Sequence, residues 1–236
     1  MTHPLDDPVL AALTGPHAHL AERAGRLLRY PVDAAPWLAF TDGPTDADWA
    51  ALAALAGPGA EVSMPLTTAV PPADWEYTLS LPGVQLVDTD VAADAAVDPE
   101  AVRLTPADVP DMLDLVARTK PGPFLPRTIE LGTYLAIRRG GRLVAMAGER
   151  MHPPGWVEIS AVCTAPEARG QGLAGRLITT LTALARARDE RAFLHAAAEN
   201  TGAIRLYENL GFRHRADVRF RVARVPKRSA EVPVAT

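Results

Sequence analysis

Apolar positions in the second half of the chain fall into clear strand and helix patterns. Trp156 to Cys163 is a short apolar run that reads as a strand. After a turn at Ala165-Pro166, apolar residues recur at Leu173, Leu177, Ile178, Leu181 and Leu184, the spacing of one face of a helix. Upstream, Ala101–Leu104 predicts a short strand. Thr105-Pro106-Ala107-Asp108 predicts a helix start, with a hydroxyl at the cap, proline at the first helical position and an acid three residues after the cap. That helix is expected to run to about Thr119, followed by a proline-stiffened loop at 120–127. Thr133–Arg139 and Arg142–Met151 predict a hairpin across Gly140-Gly141. Downstream come a strand at 192–197, a helix at about 202–210, and closing strands near Phe212 and over Arg219–Val225. The resulting order is β-α-β-β-β-α-β-α-β.

The first ninety residues are patterned less clearly. Pro8–Leu13 and His19–Arg29 read as helices and Trp37–Thr41 as a strand. A helix capped by Thr45, Asp46 or Asp48 is expected to end before Gly57-Pro58. Glu61–Leu66, Trp75–Leu81 and Val84–Asp90 read as three strands, with Pro71-Pro72 as a break. Val91–Pro99 is rich in Ala and Asp without apolar periodicity and reads as a linker. The expected organisation is therefore an N-terminal α/β region over 1–98, a mixed-sheet domain over 99–226, and a disordered tail over 227–236.

Between the strand at 156–163 and the following helix, the chain reads Arg169-Gly170-Gln171-Gly172-Leu173-Ala174-Gly175-Arg176. The first N–H groups of a helix lack intrahelical partners, and the helix dipole adds partial positive charge there. Glycines allow a ligand to approach the backbone closely, so a phosphate group is expected on this turn. A P-loop would need Lys followed by Ser or Thr where Arg176-Leu177 stand. A dinucleotide fingerprint fits the bare glycine spacing but would need an acid ending the next strand, which carries His195 instead.

The remaining scheme, Arg/Gln-x-x-Gly-x-Gly/Ala, is satisfied by Arg169 to Ala174, and here the sequence resembles the GNAT family of acyl-CoA-dependent N-acyltransferases. A second stretch, Asn200 to Tyr207 followed by Leu210-Gly211-Phe212, is similar to that family's other signature. The resemblance covers roughly residues 100–225 and implies an α/β fold with a mixed sheet. The region before residue 98 would be an addition, with a degenerate second copy of the fold as one reading of it.

The resemblance implies acetyl-CoA as co-substrate and a small-molecule or peptide amine as acceptor. The carrier would lie where strands 156–163 and 192–197 splay apart. Backbone groups of Val162, Cys163 and Thr164 would pair with its pantetheine arm. The amides of Gly170, Gln171, Gly172, Leu173, Ala174 and Gly175 would hold its diphosphate, with Arg169 and Arg176 as candidate charge partners. Tyr207 would be the general acid for the leaving thiolate, and Asn200 either binds the carrier arm or caps its helix. Glu158, His195 and Glu149 are candidates for the base that takes the amine's proton. A non-catalytic acyl-CoA sensor of the same fold is the competing reading.

Composition changes little. The formal net charge of −4 over 236 residues gives no reason to expect nucleic-acid binding. Cys163 is the sole cysteine, so neither an internal disulfide nor a cysteine metal cluster is available, and His3, His17 and His19 lack metal-ligand spacing. The start of the chain is acidic where a signal peptide would be basic, and no apolar run reaches the ~20 residues that cross a bilayer. A cytoplasmic protein without membrane or metal is expected, with homodimerisation left open.

Overall fold

A computed structural model describes residues 3–64, 69–91 and 97–227. In chain order the elements are α1 (Pro8–Leu13), β1 (Glu22–Ala24), β2 (Leu27–Arg29), β3 (Leu38–Phe40), α2 (Asp46–Ala56), β4 (Glu61–Ser63), β5 (Glu76–Asp88), β6 (Val102–Arg103), α3 (Val109–Thr119), β7 (Tyr134–Arg139), β8 (Arg142–Glu149), β9 (Trp156–Thr164), α4 (Leu173–Arg186), β10 (Arg191–Ala197), α5 (Thr201–Leu210) and β11 (Phe212–Arg224). Strands β1–β3 form a small sheet. The others form an eight-stranded sheet in the order β4-β11-β5-β10-β9-β8-β7-β6. Only the β9–β10 pair in that sheet is parallel; the other neighbours run antiparallel.

The capping chemistry does what its residues suggest. Thr45 and Asp48 form a reciprocal capping box at the start of α2, and Thr105 with Asp108 does the same ahead of α3. Asn200 caps α5, accepting a hydrogen bond from the Ala203 N–H at 3.1 Å. Gly211 ends α5 at φ 104°, and a Cβ there would come within 2.6 Å of the Asp90 and Val91 backbone, so glycine is required on both counts.

Three expectations need correction. His19–Arg29 is not a helix: a single 3-10 turn at Ala18–Leu20 is followed by the β1–β2 hairpin, which Gly25 closes at φ 60°. The strands expected at 75–81 and 84–90 are one strand, β5. Pro82 does not break it because β5 pairs with β10 only from Gly83 onward and continues past that point on β11 alone. The closing strands likewise merge into β11, with an irregularity between His214 and Ala216. Because β5 lies between β10 and β11, and β4 lies beyond β11, the large sheet draws strands from both sides of the expected boundary at residue 98. Most of the expected linker and tail, and the end of the strand expected at 61–66, lie outside the described residues.

Side chains of β10 alternate between two cores. Ala192, Leu194 and Ala196 join Leu177, Ile178 and Leu181 of α4 and Met112 and Leu115 of α3. Phe193 faces the other way, into a cluster with Leu5, Val9, Leu13, Leu28 and Tyr30. The N-terminal region therefore covers the sheet face opposite α4, which is the face to which His195 belongs.

Candidate active site

Strands β9 and β10 pair over three positions, Trp156–Arg191 to Glu158–Phe193, and then separate. From Ile159 to Thr164 the β10-facing edge of β9 has no strand partner. The gap opens into a cavity of about 650 Å³ whose walls include Cys163, Ala174, Asn200, Tyr207, His195 and Phe220. At the opening, β9 bulges against β8: Cys163 pairs with Met146 but Ser160 with Gly148, and Ala161 takes φ 51°, a left-handed conformation uncommon for alanine.

The glycine turn sits beside this edge. Gly170 and Gly172 adopt φ 75° and 71°, and a Cβ at either would meet nothing within 4 Å. Backbone conformation, rather than crowding within the chain, is what calls for glycine there. Gly172 is the N-cap of α4 and supplies no side-chain partner, so the first amides of the helix stay available. At Gly175 a Cβ would meet Leu210 and Leu206 of α5 at 3.6 and 3.8 Å, ordinary contact distances, so neither crowding nor backbone conformation calls for glycine there.

The two arginines of the motif behave differently. Arg176 is held by Asp98, with contacts of 2.5 and 2.8 Å, and by Glu100 at 2.6 Å. Its charge is committed to two carboxylates, and a phosphate would have to compete with them. Arg169 reaches the Thr164 carbonyl at 3.4 Å and lines the cavity. An open amide edge next to an uncapped helix start and one cavity-lining arginine fits a ligand with amide groups and a phosphorylated tail.

Tyr207 projects from α5 and is 7% exposed, with its ring against the cavity. Burial pushes its phenol up to about 12, so the hydroxyl keeps its proton at neutral pH. Burial also pushes the Cys163 thiol up to about 11, which leaves very little thiolate near neutrality and argues against a covalent route through that sulfur.

Two of the candidate bases, His195 and Glu158, form a chain of contacts with Arg150. His195 Nδ1 lies 2.8 Å from Glu158 Oε1, and Arg150 grips both oxygens of the same carboxylate. Glu158 is fully buried. Burial alone would raise its carboxyl, but the Arg150 charge and the hydrogen bonds from His195 and Arg150 outweigh this and bring it down to about 2. Glu158 is thus a fixed anion that orients His195, and it is too weakly basic to take a proton from an amine.

On the other side of the ring, Gln85 Nε2 lies 3.0 Å from His195 Nε2 and 3.0 Å from the Leu5 carbonyl. The Gln85 carbonyl oxygen accepts from Arg215 at 2.8 Å. With that amide orientation Gln85 donates to Nε2, so His195 carries its proton on Nδ1, toward Glu158. Glu149, the third candidate, is buried elsewhere, bonded to Arg188 at 2.6 Å and to the Thr133 N–H at 2.9 Å. In the 120–127 loop, Lys120, Pro121, Gly122 and Pro123 line the cavity. Phe124 packs on Tyr134, and Arg127 pairs with Asp33 and Glu130.

Three residues of this site were not singled out from the sequence: Arg150, Gln85 and Trp37. Gln85 left a signal, a lone polar side chain between Val84 and Leu86 in a run that reads as a buried strand. Trp37 lies under the Arg150 guanidinium at 4.3 Å, and nothing in the spacing from 37 to 150 announces that contact.

The FR47-like protein family matches residues 134–222. A crystal structure from Novosphingobium aromaticivorans, described as an acetyltransferase of the GNAT family, is 40% identical, with a TM-score of 0.81 covering 94% of this chain and 98% of that one. A GCN5-related N-acetyltransferase from Kribbella flavida shares the fold at 17% identity, with a TM-score of 0.57 covering 92% of this chain and 94% of that one. A mycothiol acetyltransferase from Pseudarthrobacter chlorophenolicus is 36% identical over 107 residues, and the match takes in 42% of this chain and 31% of that longer protein.

Proposed function

The chain belongs to the GNAT family, and on that footing we propose that it is an acyl-CoA-dependent N-acyltransferase that passes an acetyl group directly from acetyl-CoA to a primary amine. The observation that carries the proposal is the parting of β9 from β10 beside the uncapped start of α4, with the protonated Tyr207 phenol and His195, itself bonded to the buried Glu158, bordering the same cavity. When bound, acetyl-CoA supplies an activated acyl thioester. The open β9 edge at Val162–Thr164 offers hydrogen bonds to the pantetheine arm. The amides from Gly170 to Ala174, helped by Arg169, face the diphosphate.

Transfer makes a C–N bond and breaks a C–S bond. The departing sulfur needs a proton, and Tyr207, which lines the cavity and is kept neutral by burial, would give one. The attacking nitrogen must shed a proton, and His195 Nε2 is the available lone pair, reached directly or through a water. The amine replaces Gln85 as the donor to that nitrogen, while Glu158 stabilises the imidazolium that forms on the Nδ1 side.

Gly172→Glu tests the proposal by setting bulk and negative charge at the anion site. It should abolish acetyl-CoA binding in calorimetry, while Gly172→Asn, which tolerates a left-handed backbone without charge, should retain it in part. Normal affinity in a folded Gly172→Glu protein would remove the diphosphate from this turn.

A further inference from the structure

We propose that the acceptor is a primary amine carried on an apolar group, aromatic or branched aliphatic, and that polycationic amines are poor substrates; the proposal rests on the acyltransferase reading above. The evidence is the wall of the cavity beyond His195. Pairing of β5 with β10 ends at Gly83–Ala197, while β5 and β11 stay paired from Pro82–Arg219 out to Glu76–Arg224. This two-stranded overhang forms one side of the cavity. Leu79 pairs with Val222 and Leu81 with Phe220, and direct cross-strand partners share a face. All four line the cavity, and Trp37 and Met64 extend the apolar lining.

Arg221 pairs with Ser80, so its side chain belongs to the opposite face, and its guanidinium lies 5.9 Å from the centre of the Tyr77 ring. Gly83 makes the wall possible next to the base, because a Cβ there would fall 2.4 Å from the Phe220 ring. Without it, the ring crosses β5 and its centroid stands 6.1 Å from that of His195. Leu79 is 45% exposed although it faces the cavity, which puts an apolar surface at the mouth.

Charge points the same way. Among the described residues, the charged residues lining this cavity are Lys120, Arg150, Arg169 and Arg221, all cationic, and no carboxylate joins them. Glu158 stands behind Arg150 and is already neutralised by it. A polyamine or an aminosugar would bring several ammonium groups into a site that offers them no anionic partner and meets them with like charge. An amine with one charge loses that charge to His195 on reaction and leaves an apolar remainder for Leu79, Leu81, Phe220 and Trp37.

The test compares phenethylamine and isoamylamine with spermidine and kanamycin. Initial rates of CoA release are measured on the full chain, and affinities for the CoA-loaded protein by calorimetry. The apolar amines should exceed both polycations by at least about tenfold in kcat/KM and in affinity. Equal or better performance by spermidine or kanamycin in both measurements would overturn the proposal. Leu79→Glu, at an exposed position where folding is not at stake, should shift the phenethylamine-to-spermidine ratio toward spermidine by about tenfold or more, and an unmoved ratio would also overturn it. The acyltransferase reading fails by a different result: no binding of acetyl-CoA to the wild-type protein and no CoA release with any amine.

Discussion

At the end of the cleft beside the glycine turn, the lining comes mostly from one stretch of chain, residues 159 to 207, and the turn offers backbone atoms. At the other end the wall is made of side chains gathered from far apart, Trp37, Leu79, Arg150, His195 and Phe220, with the buried Gln85 and Glu158 bonded to His195 behind it. The first construction depends on φ angles and on a strand edge left open, so many side chains can vary there without altering it. The second depends on a buried ionic chain in which each member holds the next, so one change propagates.

Tyr207 offers the largest effect at the carrier end. It is the one side chain there asked to do chemistry, so Tyr207→Phe should lower turnover by roughly 10²–10⁴-fold while leaving acetyl-CoA affinity nearly intact. Steady-state kinetics together with calorimetry check this, and an unchanged rate would take the acid role away from Tyr207.

Glu158→Gln probes the acceptor end. It preserves shape but leaves the Arg150 guanidinium, whose side chain is 12% exposed, without its counter-charge. Breaking a buried pair in this way should cost about 3–5 kcal/mol in denaturant unfolding. The pH dependence carries its own signature. The Glu158 carboxyl titrates at about 2 in the folded chain against an ordinary 4.5, so its contribution is complete above pH 4.5 and is lost as pH falls through about 2. The stability gap between wild type and Glu158→Gln should narrow over that window. A gap independent of pH would mean that packing, rather than charge, is what Glu158 supplies.

The same contrast explains what could be read from the chain before its structure. The glycine turn and the Asn200 cap were legible because each is a local pattern, a turn residue and a helix cap, whereas Tyr207 and the mixed sheet came from the family resemblance. The splay of β9 from β10 followed from family resemblance and is visible in their short register. Helix and strand limits failed where tertiary pairing overrode a local signal. Pro82 looks like a strand break until the neighbour on one side ends there, and His19–Arg29 looks helical until Gly25 is seen to close a hairpin. Arg176 is a candidate phosphate partner because it lies one residue past the last glycine. In the structure it pairs with Asp98 and Glu100, some eighty positions upstream, and no spacing rule links them. Glu158 was legible as a residue but not as a role, since its low pKa comes from Arg150 across a turn.

The finest prediction concerns the bulge that opens the carrier end. Ala161 sits at φ 51° and is 7% exposed. A left-handed alanine carries about 1–2 kcal/mol of backbone strain, which glycine would relieve. Against that stand about 0.5–1 kcal/mol for the freedom glycine loses on folding and about 0.8 kcal/mol for the buried methyl removed. These terms nearly cancel, so Ala161→Gly should change stability by no more than about 0.5 kcal/mol in either direction. Ala145, fully buried in β8 opposite Thr164, is not left-handed and has no such strain to release, and Ala145→Gly should cost about 1–2 kcal/mol. Denaturant unfolding of the pair reads the strain directly. Equal losses would mean that the bulge is relaxed, and that the amide edge facing the gap is shaped by its neighbours alone.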